Sequence, residues 1–486
     1  MPRRAILRFD LSSEIGAGHA MRTLALGRAL RDLGVECMVA LGPRSDMAGF
    51  PEDSIAVRHL PDDSSAGLRS AFPEGCDILV IDSYSLGSKF QSECRNWAGK
   101  IVALDDAPVR QHDCDVLVDA TPGRTSDDYA GLVPPSALIC AGADYAPLRP
   151  EFLRVRHEPR EACGGRVLVG FGASDPGNFS EPAIDVVRAA GLTARVIIGR
   201  LAPHGKALRE RYEADPQVEL RISPVNVAAE MAECAMAVGA AGVSALERCC
   251  LALASVVVPI VRNQHDNANA LDRLGAAIRL GAEGPLDLMS RLPAALARLC
   301  TEQEEISHRA AEICDGYGAI RIAAAAGGLS TRDGRIVTMR PVRASDSAAI
   351  LAWQRAPEVR RYARNPDPPT TEGHTRWFGE RLSDPMRLFE IAQVGGQAAG
   401  VIRLDRRRSR DAGTLPCYEV SIYTVPGMTG IGVGKAMLAY ARAALPWARL
   451  EAEVLRGNEA SHALFTAAGF VRHGDRYDCE PIWKSS

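Results

Sequence analysis

Ile15-Gly16-Ala17-Gly18-His19-Ala20-Met21-Arg22 is the stretch that predicts how the chain begins to fold. The apolar run Ala5–Phe9 before it is typical of a buried strand, and Met21–Leu33 after it, closed by Gly34, is typical of a helix. A glycine-containing turn between a strand and a helix can bring backbone N–H groups close to a phosphate. The same turn delivers His19, a side chain that titrates near neutral pH. We therefore predict a catalytic role for His19, with a capping or solvated histidine as the alternative.

The composition is that of a globular protein with several domains. The chain has 486 residues, 47% of them hydrophobic and 24% charged. The net charge of −3 gives no electrostatic reason to expect nucleic acid or an anionic membrane as a partner. No stretch reaches the roughly 20 apolar residues of a membrane span. The thirteen cysteines are scattered and include no Cys-x-x-Cys, which favours reduced thiols and a cytoplasmic protein.

The first 150 residues alternate short apolar runs with helical segments. This alternation predicts an α/β fold with a doubly wound parallel sheet, which is a Rossmann-like domain over residues 1–150. Ligands of such sheets bind beyond the carboxyl ends of the strands. The predicted strands are Ala5–Phe9, Val35–Leu41, Asp77–Ile81, Ile101–Leu104, Val116–Val118 and Ala137–Cys140.

Acidic residues end several of these predicted strands. They could face a sugar, but capping of the following helix is the interpretation we prefer for most of them. They are Asp10, Asp82, Asp105, Asp106 and Asp119. The densest polar patch, formed by His112, Asp113 and Asp115, is interpreted as a solvated loop. No cluster has clear metal-ligand spacing, so we predict that the protein uses no metal.

A second alternating series follows the connection around Leu148–Phe152 and predicts another Rossmann-like domain over residues 151–330. Its strands are expected at Arg166–Phe171, Arg195–Gly199, Val218–Ile222, Met236–Gly239 and Ser255–Val261. Two such domains in succession indicate a cleft between them.

Three stretches of this second series have the composition of ligand-binding turns. Gly170–Asn178 offers small residues with Ser174 and Asn178 as hydrogen-bonding groups. In Gly239–Glu247 a helix begins near Ser244, which favours a diphosphate, and Glu247 could accept hydrogen bonds from a ribose diol. Asn263–Ala270 contains Gln264 and Asn267, whose amides suit sugar hydroxyl and acetamido groups. Each stretch alone could be a turn, a cap or a polar loop.

Residues 4–328 resemble the nucleotide-sugar hydrolases of pseudaminic acid biosynthesis, which have the two-domain glycosyltransferase B architecture. The resemblance rests on Gly16–His19 with Arg22, on Tyr145–Phe152, on Phe171–Pro176, and on Gly242–Glu247 with Asn263-Gln264. These enzymes remove UDP from UDP-2,4-diacetamido-2,4,6-trideoxy-β-L-altropyranose. The resemblance implies that His19 activates or orients the attacking water. It implies a substrate-binding set of Gly18, Arg22, Arg149, Ser174, Asn178, Ser244, Glu247, Gln264 and Asn267.

The last third differs in character. Gly327–Gly334 is polar and glycine-containing, and we expect a domain boundary there, with the last domain over residues 335–486. Strands are predicted at Ile336–Val342, Leu388–Gln393, Ala398–Arg403 and Cys417–Val425. The last of these leads into Gly427–Leu438, where glycines at every other position precede a helix and could cradle a pyrophosphate.

Residues 335–484 resemble the GNAT-family N-acetyltransferases, through this glycine-rich stretch, Asn458–Ser461, Ala463–Phe465 and Ala468–Phe470. The resemblance implies an α+β domain that takes acetyl-CoA as co-substrate. The implied cofactor-binding residues are Gly430, Gly432, Val433, Gly434, Lys435 and Asn458. Glu419, on the strand before the loop, is the candidate catalytic base, with an exposed strand residue as the alternative.

Two positions depart from the GNAT pattern. Thr429 stands where the family usually has Arg or Gln, and Phe465 stands where many members have a tyrosine that protonates the leaving thiolate. Tyr477 is a candidate replacement for that acid.

Together these resemblances imply a bifunctional enzyme. The GNAT domain would acetylate the 4-amino group of UDP-4-amino-4,6-dideoxy-N-acetyl-β-L-altrosamine, and the hydrolase would act on that product. A UDP-sugar glycosyltransferase, a hydrolase for a legionaminic-type precursor, and a sensing or scaffold module whose GNAT domain only binds remain as alternatives.

Overall fold

The computed structural model describes residues 3–11, 17–43, 45, 55–158, 164–199, 202–407 and 415–483. Ile15 and Gly16 of the first stretch discussed above lie outside the described residues. The chain divides into two compact units. The first comprises Arg3–Gly27 and Glu36–Ala319, and the second comprises Arg28–Val35 and Ile320–Ser486.

The first unit begins with a parallel sheet of seven strands in the order β3-β2-β1-β4-β5-β6-β7. Its strands are β1 (Arg4–Phe9), β2 (Glu36–Leu41), β3 (Ala56–His59), β4 (Ile78–Asp82), β5 (Ile101–Leu104), β6 (Val116–Asp119) and β7 (Leu138–Ala141). Its helices are α1 (Gly18–Asp32), α2 (Ser65–Ala71), α3 (Ser88–Cys94) and α4 (Pro150–Arg156), with 3₁₀ turns at Ser126–Tyr129 and Ala143–Tyr145. The order changes direction between β1 and β4, which is the point where Rossmann-like sheets bind ligands.

A second parallel sheet has the order β10-β9-β8-β11-β12-β13, which repeats the pattern of the first. Its strands are β8 (Arg166–Gly170), β9 (Thr193–Ile198), β10 (Val218–Ile222), β11 (Met236–Ala240), β12 (Ala254–Val258) and β13 (Ile278–Arg279). The helices here are α5 (Ser180–Ala189), α6 (Gly205–Tyr212), α7 (Val227–Ala232), α8 (Val243–Cys250), α9 (His265–Arg273), α10 (Pro285–Ile313) and α11 (Gly318–Ala323), with a 3₁₀ turn at Arg262–Gln264.

Helices cover both faces of this second sheet. Val167 and Val169 of β8 belong to one buried apolar cluster, and Leu168 between them belongs to another. Successive side chains of a strand point to opposite faces, so a strand buried on both sides reads as a continuous apolar run. This is why Arg166–Phe171 could be recognised as a strand from its sequence.

The sheet of the second unit is mixed, with the order β14-β15-β16-β17-β18-β20-β19. Its strands are β14 (Val337–Pro341), β15 (Leu388–Val394), β16 (Gln397–Arg406), β17 (Cys417–Thr424), β18 (Arg449–Glu453), β19 (Val471–His473) and β20 (Arg476–Cys479). Its helices after residue 330 are α12 (Ser347–Arg355), α13 (Pro357–Arg360), α14 (Thr371–Leu382), α15 (Val433–Ala444) and α16 (Glu459–Ala467), with a 3₁₀ turn at Ala344–Asp346.

β17 and β18 form the parallel pair of this mixed sheet. They pair only from Cys417 to Glu419, opposite Arg449 to Glu451, although β17 continues to Thr424. The two strands therefore separate beyond Glu419. The predicted fold class, two parallel α/β domains followed by an α+β domain, is confirmed by the three sheets.

Candidate active site

His19 lies in the first turn of α1, and its side chain is 8% exposed. Its Nδ1 contacts Oδ1 of Asp82, the last residue of β4. The β1–β4 register sets Phe9 opposite Asp82, so the end of β4 lies beside the segment that leads into α1. An ionised carboxylate only accepts hydrogen bonds, so it keeps a proton on Nδ1 and leaves Nε2 as the basic nitrogen. His19 is thereby held in the tautomer that can take a proton from water.

Asp82 is fully buried and holds four donors around its carboxylate. Besides the His19 contact, it accepts hydrogen bonds from Nε and Nη2 of Arg22, each at 2.6 Å, and from Oγ1 of Thr23 at 3.0 Å. Burial alone raises the pKa of Asp82, but the Arg22 guanidinium and the His19 ring hold that pKa well below its usual range. The preferred interpretation of Asp82 as a helix cap is wrong, because the carboxylate orients a histidine instead.

Tyr84, which the sequence analysis did not select, covers the histidine. Its ring meets the His19 ring edge-on, with centroids 4.8 Å apart. Its hydroxyl donates a hydrogen bond to Oδ2 of Asp106 at 2.6 Å and accepts one from Nδ2 of Asn263 at 2.8 Å. Asn263 lies in the 3₁₀ turn after β12, so this chain of bonds joins the two parallel sheets beside His19. The only signal in the sequence is that Asp82-Ser83-Tyr84 ends a buried strand.

The turn between β11 and α8 presents unpaired backbone donors. Gly242 is the N-cap residue and provides no side-chain cap. Across the part of the chain that the structure describes, the N–H groups of Gly242, Val243 and Ser244 have no acceptor. The first N–H groups of a helix have no partner within it and favour an anion. A Cβ at Gly242 would lie 3.3 Å from Nε2 of Gln264, so the turn has little room for a side chain. The arrangement fits a diphosphate.

Glu247 and Arg149, both selected from the sequence, are brought together. Nη2 of Arg149 donates to Oε1 of Glu247 at 3.2 Å, and Nη1 of Arg149 lies 3.1 Å from Oε1 of Glu151. Burial raises the pKa of Glu247, and the Arg149 guanidinium opposes that rise. Among the described residues, no hydrogen bond is found to the other oxygen of Glu247.

The side chains of Gln264 and Asn267 form hydrogen bonds to the backbone of the β11–α8 turn and its surroundings. Oε1 of Gln264 accepts the N–H groups of Ala241 at 3.3 Å and Ile260 at 3.1 Å. Nδ2 of Asn267 donates to the carbonyls of Ala241 at 2.5 Å and Gly242 at 3.2 Å. These hydrogen bonds hold the turn, and the sugar-binding role inferred for the two amides stays a prediction.

The other predicted binding loop is organised by Asp175, whose carboxylate accepts the N–H groups of Phe179 and Ser180, both at 2.9 Å, where α5 begins. Asn178 has a φ of +54° and donates from Nδ2 to Oε2 of Glu181 at 2.6 Å. Ser174 is half-buried beside Asp175 in the same loop. The amide of Asn178 is therefore used locally.

Two further interpretations of acidic residues are corrected. Nε2 of His112 lies 2.9 Å from Oδ2 of Asp105, and the His112 side chain is 2% exposed, so His112 is a buried partner of Asp105 within the loop before β6 and not a solvated residue. Asp113 and Asp115 both pair with Arg95, at 2.7 Å each. The predicted solvated patch is thus a structural network that ties α3 to the sheet. Asp119, likewise expected to cap a helix, accepts the hydroxyl of Tyr129 at 2.9 Å and Nε of Arg124 at 2.7 Å.

No group of three or more His, Cys, Asp or Glu side chains among the described residues is arranged to hold a metal ion. No helix of the described segments is long and apolar enough to cross a bilayer.

In the second unit, the glycine-rich loop leads into α15. Gly430 and Gly432 have φ values of +84° and +102°, in the left-handed region that favours glycine. A Cβ at Gly434 would lie 2.9 Å from Cδ2 of Leu464, so α15 and α16 pack closely there. Val433 is buried and Lys435 is exposed, so only the backbone of Val433 can serve a ligand. The loop fits a phosphate-bearing ligand through its N–H groups.

Glu419 is not an isolated strand residue. Its carboxylate contacts Nη2 of Arg364 and lies 2.7 Å from Nη2 of Arg407. Arg364 also reaches Oε2 of Glu453 at 2.9 Å. Asn458, predicted to bind the cofactor, caps α16, with Oδ1 accepting the N–H of Ser461 at 3.2 Å.

Phe465 packs against Tyr477, with ring centroids 5.5 Å apart. The Tyr477 side chain is buried, and its hydroxyl lies 2.8 Å from Nδ1 of His462. A hydroxyl bonded to an imidazole is therefore next to the position where the family usually has its tyrosine.

Comparison with known proteins separates the two parts of the chain. Residues 337–471 match the family model "Acetyltransferase (GNAT) domain". The N-terminal part is 26% identical over 276 residues to the UDP-2,4-diacetamido-2,4,6-trideoxy-β-L-altropyranose hydrolase of Campylobacter jejuni, covering 56% of this chain and 97% of that protein. It is 23% identical over 286 residues to the spore coat polysaccharide biosynthesis protein SpsG of Bacillus subtilis, covering 56% of this chain and 82% of that protein.

Among solved structures, Acinetobacter baumannii MurG aligns over 66% of this chain and 98% of its own, with 14% identity and a TM-score of 0.47. The family model and the Campylobacter jejuni relative match different parts of the chain. The chain thus joins, in one polypeptide, a region similar to a UDP-sugar hydrolase and an acetyltransferase (GNAT) domain.

Proposed function

We propose that this chain is a bifunctional nucleotide-sugar enzyme with domains at residues 1–150, 151–330 and 335–486. The first two domains hydrolyse a UDP-activated diacetamido sugar of the kind named for the Campylobacter jejuni relative, and release free sugar and UDP. The GNAT domain acetylates the amino group of the preceding UDP-4-amino sugar, with acetyl-CoA as donor. The observation that carries the hydrolase proposal is the His19 ring, whose Nδ1 is held by Asp82 while Nε2 is left as a base.

In this mechanism His19 Nε2 accepts a proton from water as the water oxygen bonds to the anomeric carbon. The bond from that carbon to the diphosphate oxygen breaks, and UDP leaves with its electron pair. The resulting imidazolium is stabilised by Asp82 and returns its proton to solvent. The N–H groups of Gly242, Val243 and Ser244 bind the charge that develops on the diphosphate.

Water is favoured over a sugar acceptor by Tyr84. Its ring lies against His19, and its hydroxyl is bonded to both Asp106 and Asn263. A second sugar next to His19 would have to displace these bonds, whereas a water molecule is far smaller. This supports hydrolysis over glycosyl transfer.

In the GNAT domain we propose that the loop around Gly430 and Gly432 binds the pyrophosphate of acetyl-CoA. Glu419 receives the proton of the acceptor amine, and Arg364 and Arg407 hold its carboxylate. The amine nitrogen bonds to the acetyl carbonyl carbon, and the thiolate of CoA leaves. Tyr477, bonded to His462, is the candidate that returns a proton to this thiolate.

The deciding experiment is mass spectrometry of the products formed by the full chain from the UDP-4-amino sugar. With acetyl-CoA we expect an acetylated free sugar and UDP, and without it we expect the UDP-amino sugar to persist. Accumulation of free sugar and UDP without any acceptor distinguishes hydrolysis from glycosyl transfer. Binding of acetyl-CoA with no acetylated product would instead support a GNAT domain that only binds, and a preference for an epimeric UDP-sugar would support the legionaminic-type alternative.

We expect hydrolysis to continue at its full rate in excess chelator, because the helix N-terminus at α8 and His19 supply the required groups without a metal. UDP release from chain treated with EDTA, before and after addition of Mg²⁺, Mn²⁺ or Zn²⁺, measures this. Loss of activity that a divalent ion restores would refute metal independence.

Replacing Glu247 with glutamine is expected to weaken UDP binding about 10-fold, because a charge-assisted hydrogen bond to the ribose becomes a neutral one. The loss should vanish for 2′,3′-dideoxy-UDP, which has no ribose diol. Calorimetric titration of both ligands measures this. Glu151→Gln is the matched control, since it also removes a carboxylate from Arg149. If Glu247→Gln weakened both ligands equally, the ribose role would be rejected.

A further inference from the structure

Arg248 lies directly beneath the turn that fits a diphosphate. It is 1% exposed and belongs to α8. Its Nη2 donates to the carbonyl of Ala240 at 2.7 Å, and its Nη1 lies 3.5 Å from Oγ of Ser244. Its Nε is buried and has no hydrogen-bond partner among the described residues. The guanidinium thus contacts both ends of the Ala240–Ser244 turn.

The charge of Arg248 is not balanced by a carboxylate. No Asp or Glu oxygen of the described residues lies within ion-pair distance of its guanidinium, and the neighbouring Glu247 pairs with Arg149 instead. Burial lowers the pKa of Arg248 to about 10, which reflects the cost of placing a charge in apolar surroundings. The guanidinium nevertheless remains protonated at neutral pH.

The missing side chain of Gly239 leaves space for this guanidinium. A Cβ on Gly239 would lie 3.0 Å from Nη1 of Arg248 and 2.2 Å from the carbonyl oxygen of Gly170. Gly239 therefore permits β8, β11 and the guanidinium to meet at one point. The guanidinium is thus packed against the backbone at the start of the Ala240–Ser244 turn.

Arg156 provides a comparison within the same unit. It is also buried, but it donates to the carbonyls of Cys250 at 2.5 Å, Cys314 at 3.1 Å and Ala311 at 3.0 Å. These carbonyls lie at or just beyond the C-terminal ends of α8 and α10, where a cation is favourable. Arg156 thus has a structural role that its contacts explain. Arg248 belongs to the last turn of α8, but its guanidinium reaches back to Ala240 and Ser244 at the start of the helix, where a cation is unfavourable.

We propose that Arg248 is a positioning residue for the diphosphate of the bound UDP-sugar: a buried positive charge beneath the Ala240–Ser244 turn whose counter-charge is the ligand. It keeps the carbonyl of Ala240 turned inward, so that the N–H groups of Gly242, Val243 and Ser244 face the phosphates. This inference rests on the proposed function, because it takes the diphosphate to bind at this turn. It explains why this guanidinium extends back to the start of α8, where a cation is unfavourable.

A charge acting through the phosphates discriminates among uridine, UMP and UDP, while a merely structural residue does not. We expect Arg248→Met in the full chain to raise the Kd for UDP about 10- to 100-fold, the scale of a lost interaction with a charged group. The Kd for UMP should rise less, and the Kd for uridine should stay within about twofold. Arg248→Lys should restore part of the difference, because it keeps the charge. Arg156→Met should lower the melting temperature without changing the ratio of the Kd for UDP to the Kd for uridine.

Isothermal titration of the three ligands, with thermal unfolding of every variant, provides these values. If Arg248→Met does not fold, Arg248→Gln is titrated in its place with the same expectation. Equal weakening of all three ligands, or an unchanged ratio of the UDP and uridine constants, would overturn the proposal. If the wild-type chain bound uridine and UDP equally, or bound neither, the proposed UDP site itself would fail, a result that the wild-type titration alone reveals.

Discussion

His19→Ala is expected to lower the rate of UDP release by about 10²- to 10⁴-fold, the usual contribution of a general base. The reason is that Nε2 of His19 is the basic nitrogen left free by the Asp82 contact. Acetyl transfer by the same polypeptide should survive, and it serves as an internal control for folding. The measurement is UDP release from the diacetamido substrate, with acetylation of the amino sugar followed in parallel.

The two activities make the outcome unambiguous. Equal loss of both would indicate that the variant is unfolded, and the melting temperature would then be depressed. Unchanged hydrolysis would remove His19 from the mechanism. Loss of hydrolysis alone, with UDP binding retained, is the result that assigns the proton transfer to this side chain.

Asp82→Asn is expected to reduce the hydrolysis rate by about 10²- to 10⁴-fold, although the residue does not touch the substrate. An amide can donate to Nδ1 and so favour the wrong tautomer, an effect known from the catalytic triad of serine proteases. Because the pKa of Asp82 is held low in the folded state, its ionised form contributes stability above the unfolded pKa of about 4, and this contribution is lost as pH falls towards the folded value. The asparagine variant should lack that part of the acid dependence of stability.

Asp105→Asn is the matched control for this variant. Asp105 is another buried carboxylate at the end of a strand in the same sheet, and it also pairs with a histidine, His112. We expect its replacement to cost stability and to leave hydrolysis near the wild-type rate. If both variants lost hydrolysis to the same extent, the effect would be structural, and the orienting role of Asp82 would be rejected.

The sequence was sufficient to predict the alternating units because buried parallel strands are continuous apolar runs. Two strands of the parallel sheets escaped prediction for physical reasons. β3 is exposed along its whole length, and β13 has only two residues, so neither has an apolar run to recognise. The short strands at the end of the mixed sheet, β19 and β20, also lack an apolar run that could be recognised in the sequence.

The candidate site was only half predictable. His19 could be selected because a histidine after a glycine turn stands out in the chain. Its partner Asp82 could not, because the pairing of β1 with β4 is a property of strand order rather than of local sequence. Tyr84 and Asn263 are far apart in the chain and meet only through the tertiary fold. The hydrogen bonds by which Gln264 and Asn267 hold the β11–α8 turn could not be predicted either, because they too depend on the tertiary fold.

Because β17 and β18 separate, the hydrogen bonds between these two strands of the last domain stop partway along β17. Beyond Glu419, the backbone groups that β17 directs towards β18 have no partner on that strand within the described residues. A ligand with an extended chain of amide groups, such as the pantetheine arm of CoA, can complete the ladder as an additional strand would. Amide hydrogen exchange in the later residues of β17 would then slow on binding CoA alone. Occupancy of this domain can therefore be read without any turnover, which separates a domain that binds but does not catalyse from one that does not bind.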